Sequence, residues 1–127
     1  MARKKQVPLA VKNAIFEKLE ALAKAGLTTT YGDLGREFGL DPSAAYYENS
    51  ILWYILGDFS ISEHEKGHPM ISALVCRHDT CMPGLGFFKL AEILNPKLTL
   101  NTEEKRTEFY CKELKRLFKF WKDRERV

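Results

Sequence analysis

Leu27-Thr-Thr-Thr-Tyr-Gly-Asp-Leu-Gly-Arg-Glu-Phe-Gly-Leu-Asp-Pro42 decides how this chain folds, because it carries the punctuation between three helices. Thr28 to Thr30 offer a hydroxyl cap, and Tyr31 to Phe38, with Leu34 and Phe38 at i and i+4, make a short helix closed by Gly39. Asp41 then stands as a cap with Pro42 at the first helical position, a start signal with a physical cause: proline lacks a donor that this position would leave unpaired. An apolar stripe through Ala44, Tyr47, Ile51, Leu52 and Ile55 extends this third helix to about Leu56, before Gly57-Asp58. Upstream, Val11, Ile15, Leu19 and Leu22 recur at spacings of 4, 4 and 3, with Lys12, Glu17, Lys18, Glu20 and Lys24 on the other side. That pattern is an amphipathic helix from about Pro8 to Ala25, ended by Gly26.

Downstream, Ser60 to Gly67 reads as a polar connection. Pro69-Met-Ile-Ser-Ala-Leu-Val-Cys76 reads as a strand covered on both faces, with Ile71, Ala73 and Val75 on one side and Leu74 and Cys76 on the other. Arg77 to Gly86 is turn chemistry, in which Gly84 and Gly86 are expected to supply positive φ. Phe87 to Leu94 is a short helix stopped by Asn95-Pro96. A last helix, about Thr102 to Arg124, has a capping-box-like Asn101 and Glu104 and a stripe through Tyr110, Leu114, Leu117, Phe118 and Trp121. The expected fold class is mainly α (α+β): a winged-helix-like three-helix core with a short strand or hairpin and a long C-terminal helix.

The length of 127 residues, 45% of them hydrophobic, suits one domain spanning 1–127. No apolar run is long enough to cross a bilayer, and Met1 to Pro8 lacks the apolar stretch of a signal peptide. Three cysteines, Cys76, Cys81 and Cys111, are an odd number in a chain that can hold itself together by burial. The expectation is a cytoplasmic protein with no membrane association and no disulfide framework.

Charge is unevenly laid out. Residues 1–12 carry Arg3, Lys4, Lys5 and Lys12 and no acid, and residues 102–127 carry 9 basic groups against 6 acidic. The middle is acidic, and from Glu37 to Glu65 there is no Lys or Arg at all, a field that phosphate would have to overcome.

Thr29-Thr30-Tyr31-Gly32-Asp33-Leu34, the Gly39-Leu40 turn, the third helix and a Pro-containing strand entry followed by a Gly-rich turn together resemble the winged-helix domain of alkylguanine-DNA alkyltransferases and alkyltransferase-like proteins. The resemblance implies a DNA-binding fold in which Tyr31 rotates a nucleotide out of the stack. Where that family carries a Pro-Cys-His-Arg-Val motif, Ser72 stands for the proline, Ala73 for the alkyl-accepting cysteine and Leu74 for the histidine. Transfer chemistry therefore has no nucleophile, and what remains of the resemblance is a lesion-binding role.

Other chemistry is weakly specified. His64 and His68 have the spacing of two metal ligands on a helix, but Lys66-Gly67 between them resists one, so no metal and no other cofactor is expected. His78 is two residues from Cys76, about 7 Å in an ideal strand and too far to activate a thiol, so no catalytic residue is assigned. Phe120 falls on the flank of the last helix, where exposure beside cations would let it stack on a base or pack on a partner; the simpler expectation is a helix laid on the core with a solvated basic face. The leading expectation is a non-enzymatic DNA-associated module with phosphate contacts from Arg3, Lys4, Lys5, Lys12, Arg77, Lys115, Lys119 and Lys122. The alternative is a protein-interaction module, by partner capture or self-association, that uses Tyr46, Asn49, Ser50 and Trp53.

Overall fold

A computed structural model of the chain describes residues 7–40 and 51–125. It is mainly α with one small sheet, as the class expected from the sequence. Helix α1 (Leu9–Ala25) buries Ile15, Leu19 and Ala23 and ends at Gly26, whose φ of 72° lets the next amide, Leu27 N–H, reach back to Leu22. Lys12 lies on the same side as these apolar residues and is half-buried, so it does not join the solvated face. Strand β1 (Thr29–Thr30) leads directly into α2 (Tyr31–Glu37), where the Thr30 hydroxyl accepts the Asp33 N–H at 3.1 Å. Leu34 is fully buried, and Gly39 closes the unit at φ 72°. The Asp41-Pro42 start and the residues up to Ser50 lie outside the described residues.

Helix α3 (Ile51–Glu65) corrects two expectations: it runs through Gly57-Asp58, and the supposed connection from Ser60 is helical to Glu65. Its buried side is Leu52, Ile55, Leu56, Ser60 and Glu63, an unbroken helical period whose last members are polar. Each polar member is bonded. Ser60 Oγ accepts the Ser72 N–H at 3.1 Å and meets Ser72 Oγ at 2.7 Å, and the Glu63 carboxylate meets His68 Nδ1 at 3.0 Å and Lys66 Nζ at 3.4 Å.

The anticipated strand from Pro69 is largely a single 3₁₀ turn, Ile71–Leu74, followed by β2 (Val75–Cys76). All six residues from Ile71 to Cys76 are buried, so both sides are covered as the composition implied. Pairing is parallel, Thr29 with Val75 and Thr30 with Cys76, and forms no hairpin. The strand is short because its partner is short: β1 is confined between the Gly26 cap and the start of α2. Side chains meet the other donors instead, since Met70 N–H is bound by the Glu113 carboxylate at 2.8 Å and Ser72 N–H by Ser60.

Helix α4 (Leu85–Leu94) places Phe87 and Phe88 in the core, and its Glu92 accepts the Leu100 N–H at 2.7 Å, pinning the loop into α5. Helix α5 (Glu103–Glu125) starts at Thr102, whose hydroxyl accepts the Lys105 N–H; the expected Asn101–Glu104 box is not made, and Asn101 instead accepts from Lys105 Nζ. Tyr110, Leu117 and Trp121 are buried and Leu114 and Phe118 half-buried. Phe120 is half-buried too and not presented for stacking: the His68 ring lies 4.4 Å from it, centre to centre, and the Arg124 guanidinium caps it at 5.1 Å. Helix α1 packs along α5, with Phe16 meeting Trp121 edge-on at 6.3 Å. Among the described residues, no helix is long and apolar enough to cross a membrane.

A candidate binding groove between two helices

An apolar groove of about 380 Å³ lies between α3 and α4. That is at the lower end of the roughly 300–1,000 Å³ typical of ligand pockets. Trp53, Tyr54, Gly57, Asp58 and Ile61 form one wall, Gly86, Phe87, Lys89, Leu90 and Ile93 the other, with Tyr31 and Ser72 also lining it.

Three local features build it. Trp53 is half-buried, with Tyr54 edge-on to its ring at 4.8 Å. Its indole lies directly on the backbone of Gly86: a Cβ there would sit 2.8 Å from Trp53 Cε2 and closer still to Nε1. This corrects the reading of the glycine turn, because neither Gly84 nor Gly86 has a positive φ; Gly86 is required for close approach. Tyr31 is fixed by accepting the Gly84 N–H at 3.2 Å, which also occupies an amide that an anion at the start of α4 would need. Burial pushes the Tyr31 phenol up from its ordinary 10.0, with the Gly84 bond opposing.

The rim is apolar as well. Ile61 is 38% exposed and Ile93 73%, one on each wall. Asp58 on the α3 wall and Lys89 on the α4 wall are the charged residues that line the groove.

Beside the groove, Cys76 Sγ lies 3.1 Å from the Tyr110 hydroxyl. Burial raises the Cys76 thiol above its ordinary 9.0, against the lowering effect of the Tyr110 hydrogen bond, and burial together with the Cys76 contact raises Tyr110. A buried, protonated thiol is an inert one, and His78 stands exposed outside this pair. With a thiol-reactive disulfide dye at pH 8, the exposed Cys81 and Cys111 are expected to react rapidly and Cys76 only on unfolding; three fast thiols would contradict this burial. Because Cys76, Tyr31 and Tyr110 are all raised in the fold, the folded state holds protons that the unfolded chain releases. Their contribution is complete below about pH 9 and is lost as pH rises further, so denaturant midpoints fall above that pH, less steeply in Cys76→Ala.

The remaining expected sites separate. Lys115, Lys119 and Lys122 are exposed on α5, whereas Arg77 is bound to Asp79 at 3.0 Å and holds that carboxyl below its usual range. Arg3, Lys4 and Lys5, like Tyr46, Asn49 and Ser50, lie outside the described residues. His64 is exposed while His68 turns to Glu63, and no three His, Cys, Asp or Glu among the described residues converge as metal ligands. Of the positions singled out by the alkyltransferase resemblance, Tyr31 and Ser72 both line the groove, and Ala73 is fully buried. From sequence, Gly86 is read for a positive φ and not for close approach, and Ile61 and Ile93 are not singled out. Comparison of the chain with protein-family models, curated proteins and solved structures finds no match.

Proposed function

We propose that the chain is a protein-interaction module whose α3–α4 groove takes the apolar side of a helical segment from a partner protein. One observation carries this reading: two isoleucines stand exposed on opposite rims of a preformed apolar groove floored by aromatic rings. A helix laid in such a groove buries side chains at i, i+3 or i+4 and i+7. Asp58 on the α3 wall favours a segment with Lys or Arg on the flank beside it.

The test is selection from a displayed library of helical 16-mers. Enriched sequences are expected to carry apolar anchors at helical spacing and basic flanks, and to bind the Ile61→Asp/Ile93→Asp protein about tenfold or more weakly, equivalent to ~1.4 kcal/mol. Both isoleucines are exposed, so the pair can be changed without opening the core. No enrichment, or binders indifferent to the double change, would overturn the reading. A dimer formed without peptide and dissolved by the same double change would replace the partner with a second copy.

A further inference from the structure

We infer that the outward face of α5 is a second binding surface, one that takes the phosphate backbone of a nucleic acid. Lys115, Lys119 and Lys122 fall at i, i+4 and i+7, opposite the side that buries Tyr110, Leu117 and Trp121. All three are exposed and none is within ion-pair distance of a described carboxylate. Six other described cations are held by carboxylates: Lys18 by Glu37, Arg36 by Asp33, Lys66 and Arg116 by Glu63 and Glu113, Arg77 by Asp79, and Lys112 by Glu108. Asp123, next to Lys122 in sequence, points about 100° away from it around the helix.

The row spans about 10 Å along the axis, enough to meet successive phosphates on one strand. Phe87 separates this surface from the groove, because one side of it lines the groove while Phe109 and Tyr110 of α5 pack on it at 6.1 and 6.3 Å. The lysines face away from that contact, and Glu63, which reaches towards Phe120 of α5 through His68, is already held by His68 and Lys66.

The test is fluorescence anisotropy of a labelled 20-base-pair duplex, and of its single strand, at 50 and 200 mM salt. Three phosphate contacts at a slope of about −0.9 each predict that duplex affinity falls about forty-fold between those concentrations. Lys115→Gln/Lys119→Gln/Lys122→Gln, which keeps helix-forming residues on an exposed face, is expected to remove that dependence and most of the affinity. Lys115→Glu/Lys119→Glu should abolish binding, and Lys97→Gln, at an exposed lysine outside the row, should leave it unchanged. Circular dichroism of each variant confirms that the fold persists. No binding at 50 mM salt would overturn the inference, as would an unaltered salt slope in the triple Gln variant, or binding to phosphatidylserine vesicles without binding to either DNA.

Discussion

Gly86→Ala is expected to destabilise the protein by about 1–3 kcal/mol, the usual cost of forcing a methyl into a packed site, and to destroy the groove with it. The added carbon would occupy space held by the Trp53 indole. Backbone on the α4 side cannot yield without moving Phe87 and Phe88, both buried, so the indole must leave. Two readouts separate the outcomes: a lowered urea midpoint reports the strain, and a red-shifted Trp53 emission in a Trp121→Phe background reports the displaced ring. Gly84→Ala is the matched control, because a Cβ there meets nothing closer than the Tyr31 hydroxyl at 3.9 Å and the backbone is already extended. It should change stability by no more than about 0.5 kcal/mol. Equal effects from the two substitutions would remove Trp53 from the account of the groove.

Glu113→Ala is expected to cost about 3 kcal/mol, with a fall in Tm of about 10 °C. Its carboxylate is buried on the inner side of α5, where it accepts the Met70 N–H at 2.8 Å and both forks of Arg116 at 3.0–3.2 Å. Alanine leaves the Met70 amide buried without an acceptor just where the chain turns into the 3₁₀ segment. Arg116 is 56% exposed and returns to water, so the loss comes mainly from the amide and not from the ion pair. Glu113→Gln keeps an oxygen for Met70 and should therefore lose less than half as much. If Gln proved as damaging as Ala, the charge and not the hydrogen bond would be what holds this junction.

These two residues also show where the sequence is legible and where it is not. Helices α1, α2 and α5 follow from periodic apolar residues and from caps such as Gly26 and Thr30, because local chemistry decides them. The second half of α3 escapes the same reasoning because Ser60 and Glu63 occupy buried positions, where Ser72 is brought up by the tertiary fold and His68 by the turn at Gly67. The 3₁₀ turn is hidden for a related reason: Ile71 to Val75 has strand composition, but the donors of Met70 and Ser72 are satisfied by Glu113 and Ser60 and not by a sheet. Trp53 stands out in the sequence as an aromatic residue on the third helix. The groove does not, since it depends on Tyr31, Trp53 and Gly86 meeting from three separate elements. The lysine row could be read from helical spacing, whereas its freedom from carboxylates could not.

The most direct test of the groove as the binding surface is a ¹H–¹⁵N correlation spectrum of the protein titrated with a peptide from the helical library. The expected result is that the largest shifts fall on the Trp53 indole N–H and on the amides of Ile61, Leu90 and Ile93, with Lys115 to Lys122 unmoved. Shifts concentrated on α5, with the Trp53 indole silent, would contradict it.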